Sequence, residues 1–362
     1  MMFWQGRKVL ITGHTGFKGS WLSLWLQSLH ANVVGLALEP PTSPNLFQLA
    51  SVADGMVSVL GDIRDFNVVQ DLFKTHQPEI VIHMAAQPLV RYSYHAPVET
   101  YATNVLGTVH VLEAARQTAS VKAIVNVTTD KCYENQEWCW GYRESDRLGG
   151  HDPYSNSKAC AELVTSAYQS SYFNDRGIGL ASVRAGNVIG GGDWALDRLV
   201  PDVIRACMAK NVVTIRNPHA LRPWQHVLEP LSGYLLLAEK LFNAPKAYTG
   251  GWNFGPQDND VKPVQWIVDF ITSHWGEPVS WKLDEQPNPH EATYLKLDCS
   301  KAKQQLAWEP RWDLTQGLLS TVEWYKAFQA SKPMRQQTVL QIKQFVENNS
   351  LKYNCNSPVT SS

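Results

Sequence analysis

The stretch Lys8-Val9-Leu10-Ile11-Thr12-Gly13-His14-Thr15-Gly16-Phe17-Lys18-Gly19 decides the fold of this chain. An apolar run of strand length meets three glycines and passes into a helical pattern, and a second strand is expected at residues 32–38. Gly13 can adopt the backbone angles of a tight turn, Gly16 lets a pyrophosphate approach the main chain, and Gly19 lets the helix pack closely on the strand. The stretch therefore predicts a strand, turn and helix that hold the phosphates of a dinucleotide at the helix N-terminus; a purely structural turn is the alternative.

Length and composition indicate a folded protein without a strong overall charge. The 362 residues are enough for two domains, 44% are hydrophobic, and 32 Lys and Arg residues nearly balance 33 Asp and Glu residues. Such a chain has no global field to gather nucleic acid or an anionic membrane. No apolar run reaches membrane-spanning length and the N-terminus lacks a signal-peptide pattern, so we expect a cytoplasmic protein. The six cysteines are scattered without CxxC spacing, which predicts neither a metal site nor a disulfide framework.

Further strand patterns alternate with helical ones. Strands are expected at residues 56–60, 80–83 and 123–127, and helical patterns separate them, the longest at 97–116. Right-handed crossovers between such strands build a parallel sheet. We therefore predict an α/β fold with a doubly wound parallel (Rossmann) sheet, whose ligand lies at the carboxyl ends of the strands.

The alternation becomes less regular after a sixth strand at 178–184, where aromatic and proline content rises. We predict a dinucleotide-binding domain at 1–185, to which later elements near 225–255 return. Residues 186–330 are predicted to form a smaller C-terminal substrate-binding domain, and 331–362 a tail.

Two positions near the expected adenosine end carry acids. Glu39 lies about 20 residues beyond the glycines, where an acid usually binds the ribose hydroxyls. Asp62, followed by Ile63, could reach an adenine amino group, and capping of the next helix is its alternative role. The small pair Ala85-Ala86 leaves room for a flat cofactor, although alanines also occur at strand ends for packing.

Residues able to move protons follow the fifth strand and open the next helix. Thr128-Thr129-Asp130-Lys131 end that strand, and Asp152-Pro153 is a good helix start. Tyr154 and Lys158 therefore share one helical face. A cation beside a phenol lowers the pKa of the phenol, as a general base requires. An ordinary pair on a surface helix is the alternative.

These motifs, in this order and together with Asn104, resemble the extended short-chain dehydrogenase/reductase family over roughly residues 5–330. The resemblance implies NAD as cofactor, held by Gly13, His14, Thr15, Gly16, Phe17, Lys18, Gly19, Asp62, Ile63, Ala85, Ala86, Asn104, Thr128, Tyr154 and Lys158. Thr129-Asp130 is similar to the nucleotide-sugar 4,6-dehydratases of that family. The stretches 184–194 and 221–230 resemble the branch of these dehydratases that acts on CDP-D-glucose.

The resemblance implies a hydro-lyase reaction with catalytic residues Thr129, Asp130, Lys131, Tyr154 and Lys158. Tyr154 would take the proton of the 4-hydroxyl while Thr129 holds the oxygen, and Asp130 would protonate the departing 6-hydroxyl. Lys131 stands where related dehydratases place a glutamate, which makes it a candidate for the base at carbon 5. The reaction would be an early step of 3,6-dideoxyhexose and O-antigen sugar biosynthesis.

Substrate contacts are implied for Asn187, Arg198, Arg216, Arg222, Asn253 and Tyr294, with His290 as a further candidate. Guanidinium groups suit a diphosphate because they bind it with two parallel hydrogen bonds. Helices at 97–116 and 154–172 commonly pair in this family, which implies a homodimer or a higher homo-oligomer.

Two departures from the family pattern accompany Lys131. Ala37 replaces the acid that many relatives place in the second strand, and His14 enters the phosphate loop, where we expect it to occupy space that the cofactor needs. The alternatives are a 4-epimerase, a dehydratase for dTDP- or UDP-glucose, and a non-catalytic NAD-binding regulator. Asp130 argues against the epimerase because an epimerase has no leaving group to protonate, and the intact Tyr154-Lys158 pair argues against the regulator.

Overall fold

The computed structural model describes residues 2–276, 279–284 and 294–354, with side chains up to residue 347. Its strands are β1 (Lys8–Thr12), β2 (Asn32–Ala37), β3 (Val57–Leu60), β4 (Ile80–His83), β5 (Ala123–Val127), β6 (Gly179–Ala185), β7 (Asn187–Ile189), β8 (Val213–Ile215), β9 (Leu221–His226), β10 (Gly250–Phe254), β11 (Val261–Pro263) and β12 (Trp281–Leu283).

The main sheet has seven strands in the order β10-β6-β5-β4-β1-β2-β3, and every neighbouring pair is parallel. The order reverses between β1 and β4, which is where a doubly wound sheet binds its ligand. The predicted α/β class with a parallel Rossmann sheet is confirmed. Smaller sheets join β11, β9 and β7, and β12 with β8.

The α-helices are α1 (Phe17–Ser28), α2 (Leu46–Leu49), α3 (Phe66–His76), α4 (Val90–His95), α5 (Pro97–Tyr101), α6 (Gly107–Arg116), α7 (Pro153–Tyr168), α8 (Leu199–Ala209), α9 (Leu228–Asn243), α10 (Pro245–Tyr248), α11 (Val264–Trp275), α12 (Ser300–Leu306), α13 (Leu314–Gln329) and α14 (Met334–Asn354). A π-helical turn (Ala102–Leu106) joins α5 to α6, so the helix expected at 97–116 is continuous but widened. Another π turn (Gln169–Phe173) extends α7.

Local side chains explain where the functional helices start. Asp152 caps α7 by accepting from the backbone N–H of Ser155, and Pro153 occupies the first helical position. Asp65 caps α3, so the capping role considered for Asp62 belongs to Asp65 instead. These caps fix the turns that carry Tyr154 and the residues preceding α3.

The sheet is buried on both faces. Val9, Ile11 and Val125 belong to a cluster on one face, and Leu10 and Ile124 belong to a cluster on the other. Such continuous burial explains why the strands read as apolar runs rather than as alternating patterns.

The second half of the chain returns to the main sheet. β10 pairs with β6, and α9 packs against β5 and β6. The last helix, α14, lies on α1 and α13, where Arg335 donates to the backbone oxygens of Ala50 and Ser51 and to the amide of Gln27. Within the described ranges, no helix combines the length and apolar character needed to cross a bilayer.

Candidate active site

A cavity of about 900 Å³ opens at the carboxyl edge of the main sheet. It extends from the glycine loop past the end of β5 to α8 and β8. The predicted site residues that line it are Gly13, Thr15, Gly16, Phe17, Lys18, Gly19, Asp62, Ile63, Ala85, Ala86, Thr128, Thr129, Asp130, Lys131, Tyr154, Lys158, Asn187, Arg198, Arg216 and Arg222. Four other predicted residues lie outside the lining: His14, Asn104, Asn253 and Tyr294.

The glycine loop fits a dinucleotide. Gly13 has a φ of +83°, and a Cβ on Gly19 would lie 2.1 Å from the Gly13 carbonyl oxygen, so both positions require glycine. A Cβ on Gly16 would meet only that carbonyl within 4 Å, which leaves the cavity side of the loop open. No side chain caps α1 and no acid lies in its first turn, so its first N–H groups are available to phosphate oxygens.

His14 does not face this opening, which corrects the expectation that its side chain binds the cofactor or occupies cofactor space. The imidazole is buried between β2 and β3, and its Nε2 lies 2.7 Å from the hydroxyl of Ser58. A Cβ on Gly35 would lie 2.3 Å from the ring, so the histidine takes space that a side chain in β2 would need. Burial lowers the pKa of His14 to about 4 and keeps the ring neutral.

The acids near the expected adenosine end differ in their availability. Glu39 is exposed at the rim of the cavity. Asp62 already accepts two side-chain hydrogen bonds from Arg64, at 2.5 and 2.8 Å, and these bonds hold the pKa of its carboxyl below the usual range. A nucleoside contact by Asp62 would therefore have to share the carboxylate with Arg64.

Asn104 connects the loop after β4 to α7 rather than lining the cavity. Its Oδ1 accepts from the backbone N–H of Gln87 at 2.8 Å, and its Nδ2 donates to the Gln87 carbonyl at 3.1 Å and to the Ser157 hydroxyl at 2.9 Å. The family resemblance implied that Asn104 contacts the cofactor. The geometry instead makes it a support for the cavity wall that contains Ala85 and Ala86.

Tyr154 and Lys158 both reach the cavity. The prediction that the lysine lowers the pKa of the phenol is wrong, because the pKa of Tyr154 lies above its ordinary value. Burial raises the pKa of Tyr154 to about 12, and a hydrogen bond with Thr129 and the charge of Arg198 act in the opposite direction. The ammonium of Lys158 donates to the Val127 carbonyl at 3.0 Å. Burial lowers the pKa of Lys158 to about 8, and the charge of Lys18 acts in the same sense.

Asp130 has the environment of a general acid. Its side chain is 2% exposed; Oδ1 accepts from the Thr129 hydroxyl at 3.1 Å, and Oδ2 has no partner among the described residues. Burial raises the pKa of Asp130, although Lys131, Arg222 and Lys18 act to lower it. The direction agrees with the requirement that the carboxyl carry a proton.

Two predicted substrate ligands lie outside the cavity lining. The amide of Asn253 is fully buried; it accepts from the Tyr133 hydroxyl at 2.7 Å and donates to the Tyr142 carbonyl at 2.8 Å. Tyr294 forms a bridge with Leu221, and its hydroxyl points to the Cys139 carbonyl at 3.4 Å. Asn253 and Tyr294 therefore do not line the cavity. His290 lies outside the described residues.

Three residues that the sequence analysis did not single out shape the cavity. Asp193 accepts from Arg198 at 2.8 Å, and Arg91 forms an ion pair with Asp197 at 3.0 Å. All of these side chains line the cavity. They follow β4 and β7, and loops at the carboxyl ends of strands are where ligand contacts concentrate, so position in the chain was a usable signal.

Comparison with known proteins assigns the family. The family described as GDP-mannose 4,6 dehydratase matches residues 10–321. The chain belongs to this family. The dehydratase family match covers the glycine loop, the end of β5 and most of the region beyond β6.

Individual relatives narrow the comparison. The chain is 58% identical over 331 residues to the CDP-glucose 4,6-dehydratase of Salmonella typhimurium, covering 90% of this chain and 92% of that protein. It is 29% identical over 335 residues to a dTDP-glucose 4,6-dehydratase of Xanthomonas campestris, covering 87% and 92%.

Solved structures agree in fold. A dTDP-glucose 4,6-dehydratase of Bacillus anthracis in complex with NAD has a TM-score of 0.75 at 22% identity, covering 91% of this chain and all of that one. A UDP-glucose 4-epimerase of Thermotoga maritima has a TM-score of 0.75 at 24% identity, covering 88% and 99%. The same architecture therefore carries both dehydration and epimerisation, and the site has to distinguish them.

Proposed function

We propose that this protein uses NAD to convert CDP-D-glucose to CDP-4-dehydro-6-deoxy-D-glucose by loss of water. One observation carries the dehydration: the buried carboxyl of Asp130 lies beside Thr129 at the end of β5, where its raised pKa suits a proton donor. The choice of CDP-D-glucose follows the Salmonella relative. The product would enter 3,6-dideoxyhexose and O-antigen sugar biosynthesis.

Tyr154 is the proposed base at the 4-hydroxyl, and Thr129 would hold the same oxygen. NAD held at the glycine loop of residues 13–19 would supply the hydride acceptor for carbon 4 and the hydride donor for carbon 6. To act as a base, the Tyr154 phenol must first lose its proton. Burial opposes this loss, whereas the hydrogen bond with Thr129 and the charge of Arg198 favour it. Lys158 supplies a further positive charge in the cavity wall through its position at Val127.

Elimination then needs an acid at carbon 6 and a base at carbon 5. Asp130 gives its proton to the departing 6-hydroxyl. The ketone at carbon 4 acidifies the hydrogen on carbon 5, so a base of moderate strength suffices there. Lys131 next to Asp130 is one candidate on family position.

The nucleotide-sugar would lie against the arginines of the cavity lining. These are Arg198, Arg216 and Arg222, and Asn187 lines the cavity with them. Arginine forks bind a diphosphate bidentately, and partial burial strengthens each contact. We assign residues 186–330 to substrate binding, apart from α9 and β10, which join the NAD-binding unit of residues 1–185.

The proposal includes the oligomeric state of the protein and its cellular location. We infer a homodimer through the exposed apolar faces of α5 and α7, or a higher oligomer built on it. We also infer a cytoplasmic enzyme, because the five described cysteines are free thiols and Cys139 is exposed.

The test is incubation of the purified protein with CDP-D-glucose and NAD, followed by mass spectrometry and by the absorbance of the 4-keto sugar in alkali. We expect a product lighter by one water. Unchanged mass with altered stereochemistry at carbon 4 would establish an epimerase instead. Parallel reactions with dTDP- and UDP-glucose measure the preference for the base, and turnover restricted to either would overturn the CDP assignment.

A further inference from the structure

Lys18 places a cation in the cavity that contains the proposed catalytic residues. It is the second residue of α1, so its backbone belongs to the glycine loop, yet its side chain lines the same cavity as Thr129, Asp130 and Tyr154. Its ammonium has no hydrogen-bond acceptor among the residues that the structure describes. A dinucleotide loop needs no lysine at this position, because backbone N–H groups hold the phosphates.

The charged groups that face Lys18 come from three other parts of the fold. Asp130 follows β5, Asp193 and Arg198 lie in the loop after β7, and Lys158 lies on α7. Burial lowers the pKa of Lys18 to about 8, Arg198 acts in the same direction, and Asp130 and Asp193 oppose it. At pH 7 about a tenth of the Lys18 side chains are therefore neutral amines, and this fraction rises to one half at the pKa.

We propose that Lys18 is the general base that removes the proton from carbon 5 of the sugar, an assignment that rests on the proposed dehydratase function. A base at carbon 5 and an acid at carbon 6 must act on neighbouring atoms, and Lys18 lies close enough to Asp130 for the two charges to interact. Within the described residues, the amine has no acceptor that would compete for its donors or fix its position.

Lys131 also lines the cavity and has a larger effect than Lys18 on the pKa of Asp130, but it is the next residue of the same turn. Asp130 and Lys131 are consecutive in a single 3₁₀ turn (Asp130–Cys132), and side chains of adjacent helical residues point in different directions. Lys18 approaches from another element. In this arrangement Lys131 supplies positive charge beside the acid, whose pKa it lowers.

The proposed step balances without a further reactant. The lone pair of the Lys18 amine takes the proton from carbon 5, and the electrons of that C–H bond form the double bond between carbons 5 and 6. The C–O bond at carbon 6 breaks, and its electron pair leaves on an oxygen that takes the proton of Asp130 and departs as water. When hydride returns to carbon 6, the Lys18 ammonium gives its proton back to carbon 5.

The test compares Lys18→Arg with Lys131→Arg. Arginine keeps the positive charge, but its guanidinium stays protonated and cannot accept a proton from carbon 5. Each holoenzyme is mixed with CDP-D-glucose in D₂O in a single turnover at saturating cofactor and substrate, and binding of both is titrated separately. Absorbance at 340 nm follows the reduced cofactor, and mass spectrometry follows deuterium at carbon 5 and the loss of water. We expect Lys18→Arg to slow the last two by about 10²- to 10⁴-fold while reduced cofactor accumulates.

A second variant and a pH profile keep the assignment testable if Lys18→Arg folds poorly. Lys18→Ala should regain deuterium exchange at carbon 5 when methylamine is added. In the wild-type enzyme, the elimination rate constant should rise as the pH passes through the Lys18 pKa of about 8, and this rise should be absent in the arginine variant. The elimination step has to be measured separately from the oxidation step in a single turnover. Lys158 has a similar pKa of about 8, and its titration would affect the oxidation step.

Three results would overturn the assignment. One is normal exchange in Lys18→Arg with a stalled Lys131→Arg, which would make Lys131 the base. Another is loss of cofactor reduction in Lys18→Arg at saturating ligands, which would make Lys18 part of the oxidation machinery. The third is absence of rescue by methylamine. If the wild-type enzyme neither reduces NAD nor releases water, the proposed dehydratase function itself is wrong. This result is distinguishable from the three above, in which the wild-type enzyme is active.

Discussion

At the scale of single residues, Asp130 separates the two halves of the reaction. Oxidation at carbon 4 does not use its proton, whereas loss of the 6-hydroxyl does. We expect Asp130→Asn to slow dehydration by about 10²- to 10⁴-fold while oxidation at carbon 4 continues. The measurement is a single turnover in which reduced cofactor accumulates, and equal loss of both steps would contradict the acid role.

The pH dependence of elimination follows from the same carboxyl. Its pKa in the folded protein is raised by burial, so the acid is present below that pKa and is lost as the pH rises through it. We expect the elimination rate constant of the wild-type enzyme to fall as the pH rises through the pKa of Asp130. The fall should be absent in the residual activity of Asp130→Asn, and a fall that persists there would belong to another group.

At the scale of elements, a buried ion pair joins α7 to β6 beneath the cavity. Glu162 accepts from Arg184 at 2.8 and 2.9 Å and from the hydroxyls of Thr128 and Ser182. Burial acts to raise the pKa of Glu162, but these hydrogen bonds outweigh it and hold the pKa below its ordinary value. The pair therefore fixes the helix that carries Tyr154 against the strand that follows it.

Removing this carboxylate should be costly because it leaves the Arg184 charge buried and unpaired. We expect Glu162→Gln to lower the free energy of unfolding by about 3–5 kcal/mol, measured by urea denaturation. Glu113→Gln is the matched control, since its pair with Arg116 lies nearer the surface and is expected to contribute about 0–1 kcal/mol. Similar losses in the two variants would contradict the argument.

The pH dependence of stability gives a second readout. A folded pKa below the unfolded one stabilises the protein above the unfolded pKa, and this contribution is lost as the pH falls through the folded value. The difference in stability between wild type and Glu162→Gln should therefore narrow on acidification.

Local patterns were enough to predict the parallel sheet, and most of the predicted site residues line the cavity. Gly13, Gly19 and the Tyr154-Lys158 spacing are signals carried by neighbours in the chain. Contacts between distant segments were not predicted. The packing of His14 on Gly35 depends on two strands meeting in space. Residue spacing in the sequence likewise could not show that the Asn253 amide forms buried hydrogen bonds with Tyr133 and Tyr142.

At the scale of the whole molecule, exposed apolar side chains on two packed helices support the proposed homodimer. α5 and α7 lie against each other, and the Tyr101 hydroxyl donates to the Asn156 amide at 2.9 Å. Val98 is 81% exposed and Leu163 is 60% exposed on these two helices. Large exposed side chains on adjacent elements are typical of a surface that a partner covers, and a second copy of this chain is the partner that the family resemblance implies.

In a two-fold dimer each residue of the interface occurs twice, so one charged substitution introduces two like charges at the contact. We expect light scattering after size exclusion to give a dimer for the wild type and a shift toward monomer for Leu163→Glu. Leu340→Glu is the control, because Leu340 is similarly exposed at 48% but lies on α14, away from α5 and α7. The cavity lies at the edge of the main sheet within one chain, so the monomer should still bind NAD. A wild-type monomer, or equal effects of the two substitutions, would exclude the α5 and α7 surface as the interface.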